Sequence, residues 1–160
     1  MNLTPIGIIH SPHPRAEGTR IQAALAAGVK GTVEVFPEYA AGLQDLGGFE
    51  RIWLVYWFDR AKEAELVVTP YLDTTPRGLF ATRAPCRPNP IGLSAVRLLG
   101  ISGSVLQVEG LDILDNTPLL DIKPYIPAFD AFEAKRIGWC GNAKGGSVAA
   151  DGRFESGGRG

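Results

Sequence analysis

Two cysteines and two histidines are all that this chain of 160 residues has of the thiol and imidazole groups that most often hold metals. Cys86 and Cys140 lie far apart and make no metal-binding spacing with His10 or His13, and the proline inside His10-Ser11-Pro12-His13 reads as an ordinary loop. So sparse a pair predicts two free thiols in a reducing cytosol, and no metal. Long hydrophobic runs are missing too: none approaches the roughly 20 residues of a membrane span, which argues against a membrane protein. Met1–Pro14 has no basic stretch followed by an apolar one, so no secretory leader is expected and the cytoplasm is the predicted compartment. Neither sign of charge dominates. With 16 basic and 17 acidic side chains the net charge is −1, so any surface for nucleic acid has to be a local concentration of Arg and Lys.

What the chain does have is many short β-prone segments. Thr4–His10, Thr32–Phe36, Ile52–Phe58, Leu66–Thr69 and Leu79–Thr82 are rich in β-branched and aromatic residues and bounded by Gly, Pro or charge. Ser94–Leu99, Val105–Val108, Leu111–Leu114 and Leu119–Ile122 repeat the pattern, and Ser102-Gly103-Ser104 reads as a hairpin turn. Such spacing favours a mainly β barrel or sandwich over a doubly wound sheet. Helices are expected only at Pro37–Leu46 and Asp130–Arg136. One domain is predicted over residues 1–140. Residues 141–160, with seven glycines, read as a flexible tail. Within it, Val148–Phe154 carries an Asp-Gly hairpin signal that would be ordered only if docked.

Three stretches carry candidate chemistry. In Thr82–Ser94, Pro85, Pro88 and Pro90 push Ala84, Arg87 and Asn89 out of the helical region. The result is a stiff extended loop holding two guanidiniums and a carboxamide, which suits either ligand binding or a rigid connection. In Leu111–Tyr125, Asp115-Asn116-Thr117-Pro118 is a turn, followed by a strand with Asp121 and Lys123 on one face and Leu120 and Ile122 on the other. That polar face is a solvated surface or a site wall, the solvated surface being the commoner outcome. Ile52–Phe58 is apolar on both faces, as a core strand buried on both sides would be, with Asp59 and Arg60 emerging at its end.

The Thr82–Ser94 run resembles the signature of the TsaA-like (YaeB-like) family, also called TrmO. So do the Asp-Asn-Thr-Pro and Asp-Ile-Lys-Pro-Tyr elements, the opening Pro5–Pro12 and the Trp-containing Phe49–Asp59; together the likeness spans about residues 4–139. It implies a small antiparallel β-barrel, working as a homodimer and using S-adenosyl-L-methionine to methylate N6 of N6-threonylcarbamoyladenosine at tRNA position 37. The absence of any strand–GxGxxG–helix unit agrees, since the Rossmann type of methyltransferase has no support here. By the resemblance, cofactor contacts fall at Gln22, Ala23 and Ala24, at Phe58 and Asp59, at Arg83 and Leu93, and at Glu109, Gly110, Leu111 and Asp112. The first three sit where the sequence departs from the family's Gln-Pro-Gly, and Cys86 replaces a common Phe. Asn89 is a candidate acceptor for the N6 proton, by chemical analogy with Asn-Pro pairs of other adenine methyltransferases. Lys123 and Tyr125 are candidates for positioning the base, and Arg77, Arg87 and Arg97 for meeting RNA. Rival readings are a cofactor-binding sensor or interaction module, and a methyltransferase for another amine.

Overall fold

The computed structural model describes residues 2–142 and 146–156, so of the predicted tail at 141–160 residues 143–145 and 157–160 lie outside the described residues. Six strands build the body: β1 (Gly7–His10), β2 (Lys30–Val35), β3 (Arg51–Trp57), β6 (Ile91–Ser102), β7 (Val105–Glu109) and β8 (Thr117–Pro124). All pair antiparallel and close into a barrel in the order β1-β2-β7-β6-β3-β8. Two further strands, β4 (Val67–Val68) and β5 (Arg77–Gly78), make a small ribbon outside it. The Ser102-Gly103-Ser104 turn joins β6 to β7, with Gly103 at φ +59 in the left-handed region where a side chain is disfavoured.

Period-two alternation decides what fills the barrel. Ile52 and Leu54 of β3 point inward with Ile9, Val33, Leu106 and Leu119, all fully buried. The residues between them, Trp53, Val55 and Trp57, face outward and are only half-buried, so β3 is not covered equally on both sides. A six-stranded barrel is narrow enough for its own side chains to fill it. Any sizeable ligand must therefore bind outside the barrel.

Several expectations are corrected. Leu79–Thr82 is not a strand: Leu79–Ala81 forms a 3₁₀ turn, closed by the Thr82 hydroxyl donating to the Leu79 carbonyl at 2.8 Å. Leu111–Leu114 alternates because Leu111 and Ile113 plug the barrel end, not because it pairs with a neighbour. Pro37–Leu46 divides into 3₁₀ turns at Pro37–Leu43 and Leu46–Gly48, separated by Asp45 at φ 64. Of the expected helix Asp130–Arg136, the stretch Ala131–Arg136 is irregular. The only α-turn there, α1 (Pro127–Asp130), precedes it, and Phe132 at 84% exposure shows that no apolar stripe is available to bury a longer helix. In β8 the register slips opposite Val55 and Tyr56, where Val55 faces Asp121 and Tyr56 faces Leu119. Leu120 is the extra residue, so Ile122 shares the core side with Leu119 instead of with Leu120.

A second apolar cluster lies outside the barrel, formed by Val68, Leu79, Ala84, Cys86 and Phe154. Phe154 belongs to the tail. Around the Asp-Gly pair the chain makes no hairpin; Asp151 instead accepts from the Arg153 amide at 2.9 Å and starts a 3₁₀ turn at Gly152–Phe154. The tail is further tied by Ala150 to Thr19 and by Gly18 to Ala150, at 2.7 and 2.9 Å. Backbone bonds of this kind contribute about 1 kcal/mol net each, whereas truncating a buried Phe costs about 3 kcal/mol. Phe154→Ala is therefore expected to free residues 146–156 while the barrel's melting transition moves little. Amide exchange at Ala150 reads the release, and protection equal to the parent's would contradict it.

Candidate functional site

The ends of β3 and β6 are neighbours: Trp57 pairs with Ile91, and the Phe58 amide donates to the Pro90 carbonyl at 2.7 Å. Residues 58–90 therefore leave and re-enter the barrel at one point and fold back over its outer wall. Between that excursion, the wall and the docked tail lies a cleft of about 840 Å³. Trp53, Ile91 and Leu93 line it from the barrel, Phe58, Phe80 and Arg83 from the excursion, and Phe154 from the tail. This volume lies within the usual range for small-molecule sites, about 300–1,000 Å³.

A chain of polar groups runs from the barrel interior to the cleft. The Tyr56 and Ser94 hydroxyls lie 3.0 Å apart, and the Ser94 hydroxyl donates to Asp112 Oδ1 at 2.6 Å. Tyr56 continues the inward series of Ile52 and Leu54, so its phenol is buried and must find a partner. Burial, reinforced by the nearby Asp112 charge, pushes the Tyr56 pKa far up and keeps the phenol neutral. Burial also raises the Asp112 pKa, against the opposing pull of its Ser94 hydrogen bond and the Arg83 charge. Gly92 explains one position of the proline-rich motif. A Cβ there would fall inside the Tyr56 ring, so only glycine lets that ring reach Ser94.

The cleft brings together six of the eleven expected cofactor residues: Gln22, Phe58, Asp59, Arg83, Leu93 and Asp112. Arg83 donates to the Gln22 side-chain oxygen at 2.5 Å, which joins the proline-rich loop to the poorly matching segment after β1. Ala23 begins a 3₁₀ turn, Ala23–Leu25, that also holds Ala24, and Gly110 packs against its carbonyl. Leu111 is fully buried in the barrel core, and Glu109 ends β7 opposite Lys30 and Arg97. None of these five lines the cleft.

The remaining expected residues are scattered. Asn89 is exposed outside the cleft. Lys123 lies on the outer surface, paired with Asp121 at 2.7 Å, and Tyr125 packs on Trp53 with ring centroids 5.4 Å apart. Arg77 is held by Asp73 at 2.6 Å, and Arg97 sits 3.5 Å from Glu50. Arg87 lines the cleft, but its Nη1 donates to the Thr82 carbonyl at 3.0 Å and leans toward those of Leu79 and Ala84. Arg87 and, over the Trp139 ring, Arg77 thus stand at the cleft with their charges engaged, whereas Arg97 is not among the residues that line it. The Asp-Asn-Thr-Pro turn serves as a brace: Asp115 accepts from the Ser11 amide at 3.0 Å, and Arg60 donates to the Asp115 carbonyl and, at 3.3 Å, to that of Pro14.

The sequence reading missed Tyr56, Ser94 and the tail's contribution. Tyr56 sits in a strand so apolar that it passes for core, although an inward hydroxyl in such a series signals a polar partner. Trp139, Ala150 and Phe154 reach the cleft from beyond the recognisable motifs.

The family profile described as the tRNA-methyltransferase O N-terminal domain matches residues 8–131. The chain belongs to the TrmO family. Among curated relatives, a Pyrococcus abyssi protein described as a probable S-adenosyl-L-methionine-binding protein is 56% identical over 135 residues, which is 84% of this chain and 73% of that one. A mouse tRNA (adenine(37)-N6)-methyltransferase is 32% identical, over 79% of this chain and 31% of its own length. The crystal structure of TrmO from Pseudomonas aeruginosa superposes with a TM-score of 0.72 at 37% identity, covering 86% of this chain and 62% of that one. This chain thus spans under two thirds of the solved TrmO structure and about a third of the mouse protein. The Tyr56–Ser94–Asp112 network lies wholly within the matched TrmO domain, whereas Trp139 and Phe154 lie beyond it.

Proposed function

We propose that this protein is an S-adenosylmethionine-dependent methyltransferase that acts on tRNA, and that its acceptor is N6 of N6-threonylcarbamoyladenosine at position 37. The observation that carries the reading is that one apolar-walled cleft holds both a guanidinium, Arg83, and a part-buried carboxylate, Asp112. S-adenosylmethionine combines an amino acid zwitterion, a sulfonium cation and a flat adenine, and the residues present suit each part. Arg83 is placed to bind the carboxylate, Asp112 to face the cationic groups, and Phe58 and Leu93 to pack on the adenine or the methionyl chain. The Tyr56 and Ser94 hydroxyls hold Asp112 in one orientation, so little order remains to be imposed on binding. Bound S-adenosylmethionine supplies an electrophilic methyl group, and what the protein adds is alignment with the incoming nitrogen and exclusion of water. No side chain needs to be covalently modified. Among the described residues, no group of His, Cys, Asp and Glu is placed to hold a metal ion, and no helix is long and apolar enough to cross a membrane.

Methyl transfer from labelled S-adenosylmethionine to tRNA, with and without its threonylcarbamoyl group, tests the reading. Label is expected as an N6-methyl only on the modified tRNA. Arg83→Ala is expected to weaken cofactor binding roughly tenfold in calorimetry, the effect of losing one charge-assisted contact at a partly exposed site. Cofactor binding without label in any tRNA would move the reading to a sensor or to another amine substrate. Unchanged binding by Arg83→Ala would remove Arg83 from the site.

A further inference from the structure

The rim of the cleft carries two aromatic rings that the fold does not require. Phe80 is 77% exposed although its turn is already anchored by Leu79, which is buried in the second apolar cluster. The buried anchor is Leu79, so the turn's packing does not depend on burying the Phe80 ring. Trp139 stands on the same rim, with its indole N–H donating to the Ala81 carbonyl at 2.7 Å. That bond fixes the indole beside the Phe80 turn. Each ring is backed by a cation: the Arg87 guanidinium carbon lies 5.7 Å from the Phe80 centroid and that of Arg77 lies 5.6 Å from Trp139. Neither guanidinium is free to grip a phosphate. Arg77 is engaged by Asp73 through Nε and Nη2, at 3.0 and 2.6 Å, and Arg87 is turned onto backbone carbonyls. What the rim offers is flat π surface, each ring backed by a guanidinium and the indole held in place by its hydrogen bond.

We propose that Phe80 and Trp139 form a stacking platform for an unpaired nucleobase of the RNA strand, next to the base that enters the cleft. Stacking on rigid aromatic rings is how proteins hold splayed-out single-stranded bases without reading their identity. The adjoining cleft makes the arrangement directional, since a strand stacked on the rim presents its neighbouring nucleotide to Arg83 and Leu93. The identity of the strand rests on the tRNA reading above; the stacking chemistry does not.

The test is fluorescence anisotropy with a labelled anticodon stem-loop RNA, run across a salt series on the full chain. Phe80→Ala and Trp139→Ala are each expected to weaken binding about 5- to 50-fold without changing the salt slope, because no phosphate contact is lost. Phe80→Trp is expected to bind like the parent. Phe129→Ala, which removes an exposed ring outside the cleft, is the control and is expected to change nothing. Trp139→Phe, which keeps a ring but loses the bond to Ala81, should fall between parent and alanine. Parent-like binding by both alanine variants, or no binding by the parent, overturns the platform. So does a loss accompanied by a shallower salt slope, which would assign the effect to phosphates. A Phe80→Ala variant that changes sedimentation but not RNA affinity would make the rim a contact between copies of the chain. The two readings fail separately: a parent that methylates no tRNA, yet binds RNA through Phe80, keeps the platform and loses the reaction.

Discussion

Gly92→Ala is expected to abolish cofactor binding and to destabilise the fold by about 2–3 kcal/mol, the upper range for overpacking a filled core. The new methyl group would occupy space held by the Tyr56 ring, and the walls there are the paired strands β3 and β6, which cannot separate locally. The ring has to move, and its hydroxyl then leaves Ser94, which is the support of Asp112. Tyr56→Phe should not rescue the variant, because the clash is with the ring and not the hydroxyl. Tyr56→Leu in the Gly92→Ala background should recover part of the lost melting temperature but no binding. A double-mutant cycle over these two positions is expected to give a coupling of about 1–3 kcal/mol. A Gly92→Ala protein that melts and binds like the parent would show that Tyr56 has room the structure does not contain.

Asp112→Asn is expected to separate stability from function. Burial raises the folded pKa of Asp112 above its unfolded value, so the native state holds the proton more tightly than the unfolded chain does. The stabilisation linked to that proton is fully present below the unfolded carboxylate value of about 3.9, and is lost as pH rises through the folded value. At neutral pH the ionised carboxylate is therefore a liability to the fold. The asparagine variant keeps an acceptor for Ser94 and carries no charge, so it should melt at or above the parent's temperature at pH 7–8. The advantage should close as pH falls toward 4. Cofactor affinity should nonetheless drop on the order of a hundredfold, since a cationic partner would lose its counter-charge in a partly desolvated site. Thermal melts across pH, with calorimetry at pH 7.5, check both halves. A variant less stable than the parent at neutral pH would make Asp112 a structural residue.

The barrel was legible in the sequence where alternation and pairing coincide, as at Val33 and Val35, at Ile52 and Leu54, and across the Gly103 turn. It was misread where the same alternation has another cause. Leu111 and Ile113 are two apolar residues spaced like a strand that cap a barrel end, and nothing local distinguishes the two outcomes. The Leu120 bulge was equally silent, because register is a property of both strands. At the site, the motif that holds Arg83 and Leu93 announced itself, and Asp112 followed from the resemblance. The wall built by Phe154 did not, since its partners Val68, Leu79 and Cys86 are far away in the sequence. Lys123 and Asp121 were placed on one face by their spacing, and the structure pairs them at 2.7 Å on the outer surface.

Because the excursion over residues 58–90 departs from Trp57 and returns at Ile91, directly across one pair of strands, the barrel's register does not depend on its length. Insertions, deletions or exchanges between those two points leave every barrel pairing where it is. Descendants of such a protein are free to acquire new substrates by rewriting 33 residues, while the remainder is held still by its own packing.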